Sequence, residues 1–352
     1  MKNKKSTIKE VAKKAGVSIS TVSLVVNNLP YVSPEVREKV TSAIKELSFY
    51  PRRNARGLAS KTSGNIGFIL TENHFSQAEP FYTKIYLGTE FEARKHRYYV
   101  LLTTVAPTRT DNEEIPRFLL EENVDGVIIA GKIHQSWIDE VQNRNLPLVL
   151  IDFEVPRLGI SSVLIDNGEG IQKALEYLTG SGHRDIGFIG GDIKHPSIRE
   201  RFAAYRKVLS EKGIPEREEL ISISQADTAI ENGFVAAKKI MEVSGKKPTA
   251  ILAANDAMAI GAIRYLKSSG YMVPKDVSVI GFDNVDASEH VSPKLTTIHV
   301  PKEEMGAIAV KRLVEKIQKI DNVTMKTFIG VDLIIRDSTK ILSSKEFIPV
   351  KN

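Results

Sequence analysis

From residue 65 onward, short apolar runs alternate with helical patterns, and this alternation leaves few folds open to the chain. Runs at 65–70 (NIGFIL), 98–103, 125–130 and 146–151 have strand length, with helical patterns between them at 81–95, 112–122 and 134–145. Continuous apolar runs are expected of strands buried on both faces, as in a parallel sheet flanked by helices. A second set follows, with strands at 162–165, 186–190, 220–223, 250–253 and 277–281 and helices at 168–179, 198–212, 229–243 and 257–269. Two similar α/β halves predict two lobes with a cleft, and ligands of such sheets bind outside the carboxyl ends of the strands. The late segments read as a link between lobes at 295–301, a helix at 302–319 and a last strand at 327–335.

The first 50 residues have another pattern. Thr7 caps a helix and Glu10, three residues on, completes a capping box. Ile8, Val11, Ala12 and Ala15 share one face, and Gly16 breaks the helix. Ser18 caps a second helix whose Val22, Val25 and Val26 point inward. Two short helices around a glycine turn make a helix-turn-helix, in which the start of the second helix enters the major groove of DNA. After a loop at 28–32, Ser33 and Pro34 start a third helix with Val36, Val40, Ala43, Ile44 and Leu47 on its apolar face. The alternative is a plain helical hairpin with its own small core. Charge favours the DNA reading: residues 1–62 carry 13 Lys or Arg against 4 Asp or Glu, while the whole chain is only +6. Residues 51–61 (PRRNARGLASK) are either a basic tether or a short helix that forms on DNA, being too short to be stable alone.

Several classes are disfavoured. The chain has no cysteine, so a disulfide framework and cysteine-based zinc sites are excluded. No apolar run reaches membrane-spanning length, and no apolar region follows Lys5 as a signal peptide requires. A cytoplasmic protein with no membrane partner is expected. The run Gly187–Asp192 (GFIGGD) superficially resembles a dinucleotide loop but lacks the G-x-G-x-x-G spacing. The seven histidines form no H-x-x-x-H pair, and no G-x-S-x-G elbow occurs. The expectation is no enzyme, no cofactor and no metal.

The residues Thr7-Ile8-Lys9-Glu10-Val11-Ala12, Ala15-Gly16-Val17-Ser18, Thr21-Val22-Ser23 and Asn27 resemble the headpiece of the lactose-repressor/galactose-repressor family of bacterial transcription regulators. Further landmarks extend the resemblance nearly to the end of the chain: Asp166-Asn167, Gly182-His183-Arg184, Ala254-Asn255-Asp256, Gly281-Phe282-Asp283 and Leu295-Thr296-Thr297. The resemblance implies an all-α helix-turn-helix headpiece (1–50), a hinge (51–62) and a two-lobed periplasmic-binding-protein-like α/β core with doubly wound parallel sheets (63–340). The first subdomain is expected over 63–161 plus 290–325, the second over 162–289 plus 326–340, and a tail over 341–352. That tail lacks the apolar heptads of a coiled coil.

The implied function is a transcriptional regulator, a homodimeric repressor on a pseudo-palindromic DNA operator, controlled by a small effector such as a sugar. A sugar-binding receptor without DNA activity is the alternative. The implied DNA-binding set is Thr7, Ser18, Ile19, Ser20, Ser23, Leu24, Asn27, Ser33, Arg52, Ala55, Leu58 and Ala59. Leu58 would wedge between base pairs in the minor groove. Leu24 stands where many members carry a long polar side chain, so contact with a thymine methyl replaces hydrogen-bond readout there. The implied effector set is Phe81, Tyr82, Asp152, Arg201, Asn255 and Asp283. Its carboxylates and guanidinium suit a polyol. Thr228 stands where several sugar-binding relatives place a stacking aromatic, so either Phe81 or Phe153 is the platform or the effector is not a simple pyranose. Trp137 falls on an outer helix and is not expected to serve.

Overall fold

The computed structural model describes residues 6–26, 31–47, 49, 62–74, 80–107, 114–156, 158–225, 227–243 and 245–342. The chain divides into two compact units at Gly64. In the first, α1 (Ile8–Ala15), α2 (Ile19–Val26) and α3 (Pro34–Glu46) close around Val11, Val22, Val25, Val40, Ala43 and Phe49. The capping box forms: Thr7 Oγ1 accepts from the Glu10 amide at 3.4 Å, and the Thr7 amide donates to Glu10 Oε2 at 2.6 Å. Gly16 ends α1 at φ 66, a conformation that costs a glycine little.

The second unit holds two six-stranded sheets. Strand β1 (Asn65–Thr71) shows how the apolar runs are used. Ile66, Phe68 and Leu70 enter one core layer and Ile69 the opposite one, so both faces are covered. The first sheet also contains β2 (Tyr99–Val105), β3 (Gly126–Ala130), β4 (Leu148–Ile151), β5 (Ser161–Ile165) and β11 (Lys326–Ile329), in the order β11-β5-β4-β3-β1-β2. The second contains β6 (Ile186–Ile189), β7 (Ile221–Ser222), β8 (Ala250–Ala253), β9 (Ser278–Asp283), β10 (Thr296–His299) and β12 (Asp332–Ile334), in the order β12-β10-β9-β8-β6-β7. All the described pairings are parallel except β10 with β12.

The helices are α4 (Phe81–Lys95), α5 (Arg117–Leu120), α6 (Gln135–Asn143), α7 (Asn167–Gly180), α8 (Pro196–Glu211), α9 (Ile230–Met241), α10 (Asp256–Ser268), α11 (Ala287–His290) and α12 (Lys302–Ile317). In the first lobe α4 packs on α12, and a Cβ at Gly88 or Gly306 would lie 2.0 Å or 2.1 Å from the partner's backbone oxygen. In the second lobe α9 packs on α10 through Gly233 and Gly261 in the same way, with 2.3 Å and 2.0 Å. Glycine is needed at all four positions because the helix backbones touch.

Three segments differ from the sequence reading. Residues 161–165, read as the opening strand of the second half, pair with β4 and β11 in the first sheet. The single last strand expected at 327–335 is two strands, one in each sheet. The link expected at 295–301 contains β10 of the second sheet. An apolar run reports burial, and two parallel sheets bury their strands alike, so the pattern could not assign sheet membership. The subdomain expected over 63–161 plus 290–325 therefore exchanges β5, β10 and β11 with its neighbour. The chain crosses between lobes near 166, 300 and 330.

Candidate effector cleft and DNA-reading helix

In the headpiece, Val22 and Val25 turn α2 inward. Ile19 is 45 % exposed, Ser20 is exposed, and Ser23 and Leu24 are half-buried on the same side. From α2 the headpiece core takes Val22 and Val25, with Val26 packed against it, while Leu24 is half-buried. Thr7 and Ser33 cap α1 and α3, and Ser18 Oγ accepts from the Thr21 amide at 3.0 Å at the start of α2. All three hydroxyls therefore lie beside helix N-termini, where free N–H groups favour phosphate. Asn27, Arg52, Ala55, Leu58, Ala59 and nearly all of the expected hinge lie outside the described residues.

In the core, the expected effector residues come from carboxyl ends of strands and from helix starts. Asp152 follows β4 at φ 66 and accepts from the Tyr82 hydroxyl at 2.7 Å. Asp283 ends β9 at φ 109. Its Oδ1 is buried with no hydrogen-bond partner and lies 3.6 Å from Arg201 Nη2. Arg201, on α8, is 4 % exposed. Its Nε donates to Asn167 Oδ1 at 2.8 Å, its Nη1 donates to the Ala254 carbonyl, and the guanidinium carbon stands 3.6 Å from the Phe282 ring centroid. A buried guanidinium needs this many partners to offset its desolvation. Asn255 caps α10 by accepting from the Met258 amide at 2.9 Å. Phe81, Asn255 and Asp283 line one narrow cavity with Ile230, Ala257 and Val285.

Burial sets the electrostatics. It pushes Asp283 up to about 6, against the opposing charges of Arg201 and Lys302. Asp256 is driven up to about 8, by burial first and by Asp283 second. Asp152 is raised by burial, with the Tyr82 hydrogen bond and Arg201 opposing. Tyr82 is held well above its ordinary value, again by burial and then by Asp152. The cleft thus holds carboxyls whose ionisation is costly until donors arrive.

One aromatic expectation changes. Phe153 is 5 % exposed and packs in the outer core of the first lobe, so it is not a platform. Its place beside Asp152 misleads because consecutive residues at a strand end point to opposite sides. Phe81 alone of the two lines the cavity, and its ring meets that of Tyr82 edge-on at 5.0 Å. Trp137, on α6, is 1 % exposed in that same outer core. Thr228 lies against the loop at Gly191, where a Cβ would come within 2.9 Å of its methyl carbon.

Sequence reasoning passed over His195 and Lys302, and weighed Asp256 against a helix cap without placing it in the effector set. His195 precedes α8 beside Arg201 and Lys132, and burial pushes its imidazole down to about 4. Its Nδ1 is buried and has no hydrogen-bond partner. Position in the loop after β6, at the carboxyl end of a strand, is the signal that would have found it. Lys302 carries no motif of its own, and only packing shows where it acts.

A basic, groove-reading headpiece in one chain with a two-lobed ligand-binding core defines a DNA-binding regulator under effector control. Residues 7–52 match the lacI family of bacterial regulatory proteins, and residues 175–339 match the periplasmic binding protein-like domain. The chain is 33 % identical over 343 residues to the HTH-type transcriptional repressor PurR of Vibrio parahaemolyticus, covering 96 % of this chain and all of that one. It is 33 % identical over 315 residues to catabolite control protein A of Priestia megaterium, covering 89 % and 93 %. The lac repressor dimer bound to operator and the anti-inducer ONPF superposes with a TM-score of 0.78 at 29 % identity, covering 96 % and 100 %. A complex of the transcriptional regulator CelR with cellobiose superposes at 0.72 with 30 % identity, covering 95 % and 100 %. The chain belongs to the lacI family. It is a DNA-binding transcriptional repressor with an effector-binding core, and not an enzyme. Among the described residues, no helix is long and apolar enough to cross a membrane.

Proposed function

We propose that the effector is an uncharged polyhydroxy molecule, a sugar or close relative, held between the lobes by Phe81, Tyr82 and Asp152 on one side and Arg201, Asn255 and Asp283 on the other. The observation that carries this reading is Asp283 Oδ1, a buried carboxylate oxygen without a hydrogen-bond partner. A buried acceptor left unpaired is costly and calls for a donor. Arg201 donates to Asn167 and to the Ala254 carbonyl and already faces the Asp283 carboxyl at 3.6 Å, so an anionic ligand would meet Asp283 and Asp152 beside a single guanidinium. Vicinal hydroxyls supply the missing donors, and Phe81 offers an apolar ring for a sugar face.

The protein acts in the cytoplasm as a homodimer on a pseudo-palindromic operator, since a twofold protein matches a twofold site. The DNA contacts are Ile19, Ser20, Ser23 and Leu24 on α2, the helix starts at Thr7, Ser18 and Ser33, and the hinge from Arg52 to Ala59. Effector and operator affinities are reciprocally linked through the angle between lobes.

A thermal-shift screen of mono- and oligosaccharides, sugar acids and purine nucleobases tests the effector class. Stabilisation by a neutral sugar, lost in Asp283→Ala, is the expected result. Stabilisation by sugar acids or nucleobases alone overturns it. For the headpiece, operator affinity measured by mobility shift should fall steeply with salt, and a slope near zero would remove residues 1–62 from the DNA surface.

A further inference from the structure

Asp283 and Asn284 are consecutive residues with left-handed backbones, at φ 109 and φ 52. Non-glycine residues keep such a turn only where the surroundings over-determine it. Two buried ionisable side chains do so. Asp256, 1 % exposed on α10, accepts from the Val285 amide at 2.8 Å and from the Thr297 hydroxyl. Lys302, 7 % exposed, donates its ammonium protons to the carbonyls of Asp283, Asn284 (3.3 Å) and Val300 (3.1 Å). Lys302 is the first residue of α12, the helix packed on α4 in the first lobe. Its three acceptors belong to the second lobe and to the crossing near 300.

We propose that Lys302 is a positioning residue for the effector site: reaching from a first-lobe helix, its ammonium locks the 283–285 turn of the second lobe and keeps the Asp283 carboxylate charged and turned to the cleft. This rests on the assignment of Asp283 to the effector site. The ammonium is spent on main-chain oxygens, so its influence on the Asp283 carboxyl is by charge and by backbone placement. Other titratable or charged groups around that carboxyl are Arg201 on α8, Asp152 after β4, Tyr82 on α4 and Asp256 on α10. Among these, Arg201 and Lys302 supply the positive charge.

The test needs no effector. Full-length protein labelled with 13Cγ-aspartate is titrated by NMR, and the Asp283 signal is identified by its loss in Asp283→Asn. Lys302→Met should raise the Asp283 midpoint by on the order of one pH unit, because an opposite charge nearby is gone. Lys302→Arg should restore it to within a few tenths of a unit. Asp256→Asn serves as the structural control: it loosens the same turn without removing positive charge, so the midpoint should not rise. If Lys302→Met does not fold, Lys302→Gln replaces it with the same expected rise. An unchanged midpoint without the lysine charge, or an equal rise in Asp256→Asn, overturns the proposal. The sugar screen with Asp283→Ala judges the effector site separately, so failure of one leaves the other measurable.

Discussion

Asp152 and Asp283 end equivalent strands in opposite lobes, both with left-handed backbones, yet they are built differently. Asp152 is half-buried and already holds the Tyr82 hydroxyl. Asp283 is 9 % exposed, keeps Oδ1 unpaired, and is surrounded by Arg201, Lys302 and Asp256. One lobe offers a carboxyl already engaged by a hydroxyl donor. The other offers one with a buried oxygen still unpaired. The difference teaches that the second lobe has more to gain from a donating ligand, and that it should carry the larger share of recognition.

The comparison can be broken at four points. Asp283→Ala should have the largest effect, on the order of 2–5 kcal/mol of effector binding, the range for removing one side of a buried charged contact. Effector-free operator affinity should stay within a few-fold. Calorimetry with the strongest sugar from the screen and a mobility shift measure the two. Asp152→Ala should cost less effector binding, about 1–3 kcal/mol, for the loss of one buried acceptor to a ligand hydroxyl. Equal losses in the two variants would erase the asymmetry.

Effector affinity should also depend on pH. Donors favour the ionised carboxylate, and Asp283 is pushed up to about 6, so affinity should rise about fivefold from pH 5 to 6, about tenfold by pH 7, and level off above that. Stability of the effector-free protein runs the other way. A carboxyl raised from 3.8 to about 6 binds its proton more tightly when folded, so its contribution is full below the unfolded value and is lost as pH rises through about 6. A flat affinity profile across pH 5–7 would mean that Asp283 is not the ionisation that binding requires. The smallest effect is expected from Tyr82→Phe, about 1 kcal/mol for a single hydrogen bond. A larger loss would mean that the hydroxyl meets the effector as well as Asp152.

Local chemistry was readable in advance, and partnership between distant segments was not. Thr7 with Glu10, Gly16, and Ser33 with Pro34 announced the headpiece because caps and turns are decided within four residues. The alternation after residue 65 announced strands and helices because burial on both faces leaves a local signature. Which sheet β5, β10, β11 and β12 join depends on contacts across as many as 160 residues. Phe153 beside Asp152 was misjudged because side-chain direction at a strand end follows the turn. Lys302 could not be found because its acceptors are main-chain carbonyls, which no sequence distinguishes.

The three crossings between lobes bear on how the chain is made. β11, which closes an edge of the first sheet on β5, and β12, which closes an edge of the second on β10, are separated by two residues near the carboxyl end. A ribosome emitting this chain therefore leaves β5 and β10 without their outer neighbours until residues 326–334 have been synthesised. Open edges are templates for wrong pairing, and closing β5 onto β11 spans a long loop with its entropic cost. Residues 326–334 complete both sheets together, so neither lobe is built from one contiguous stretch of sequence.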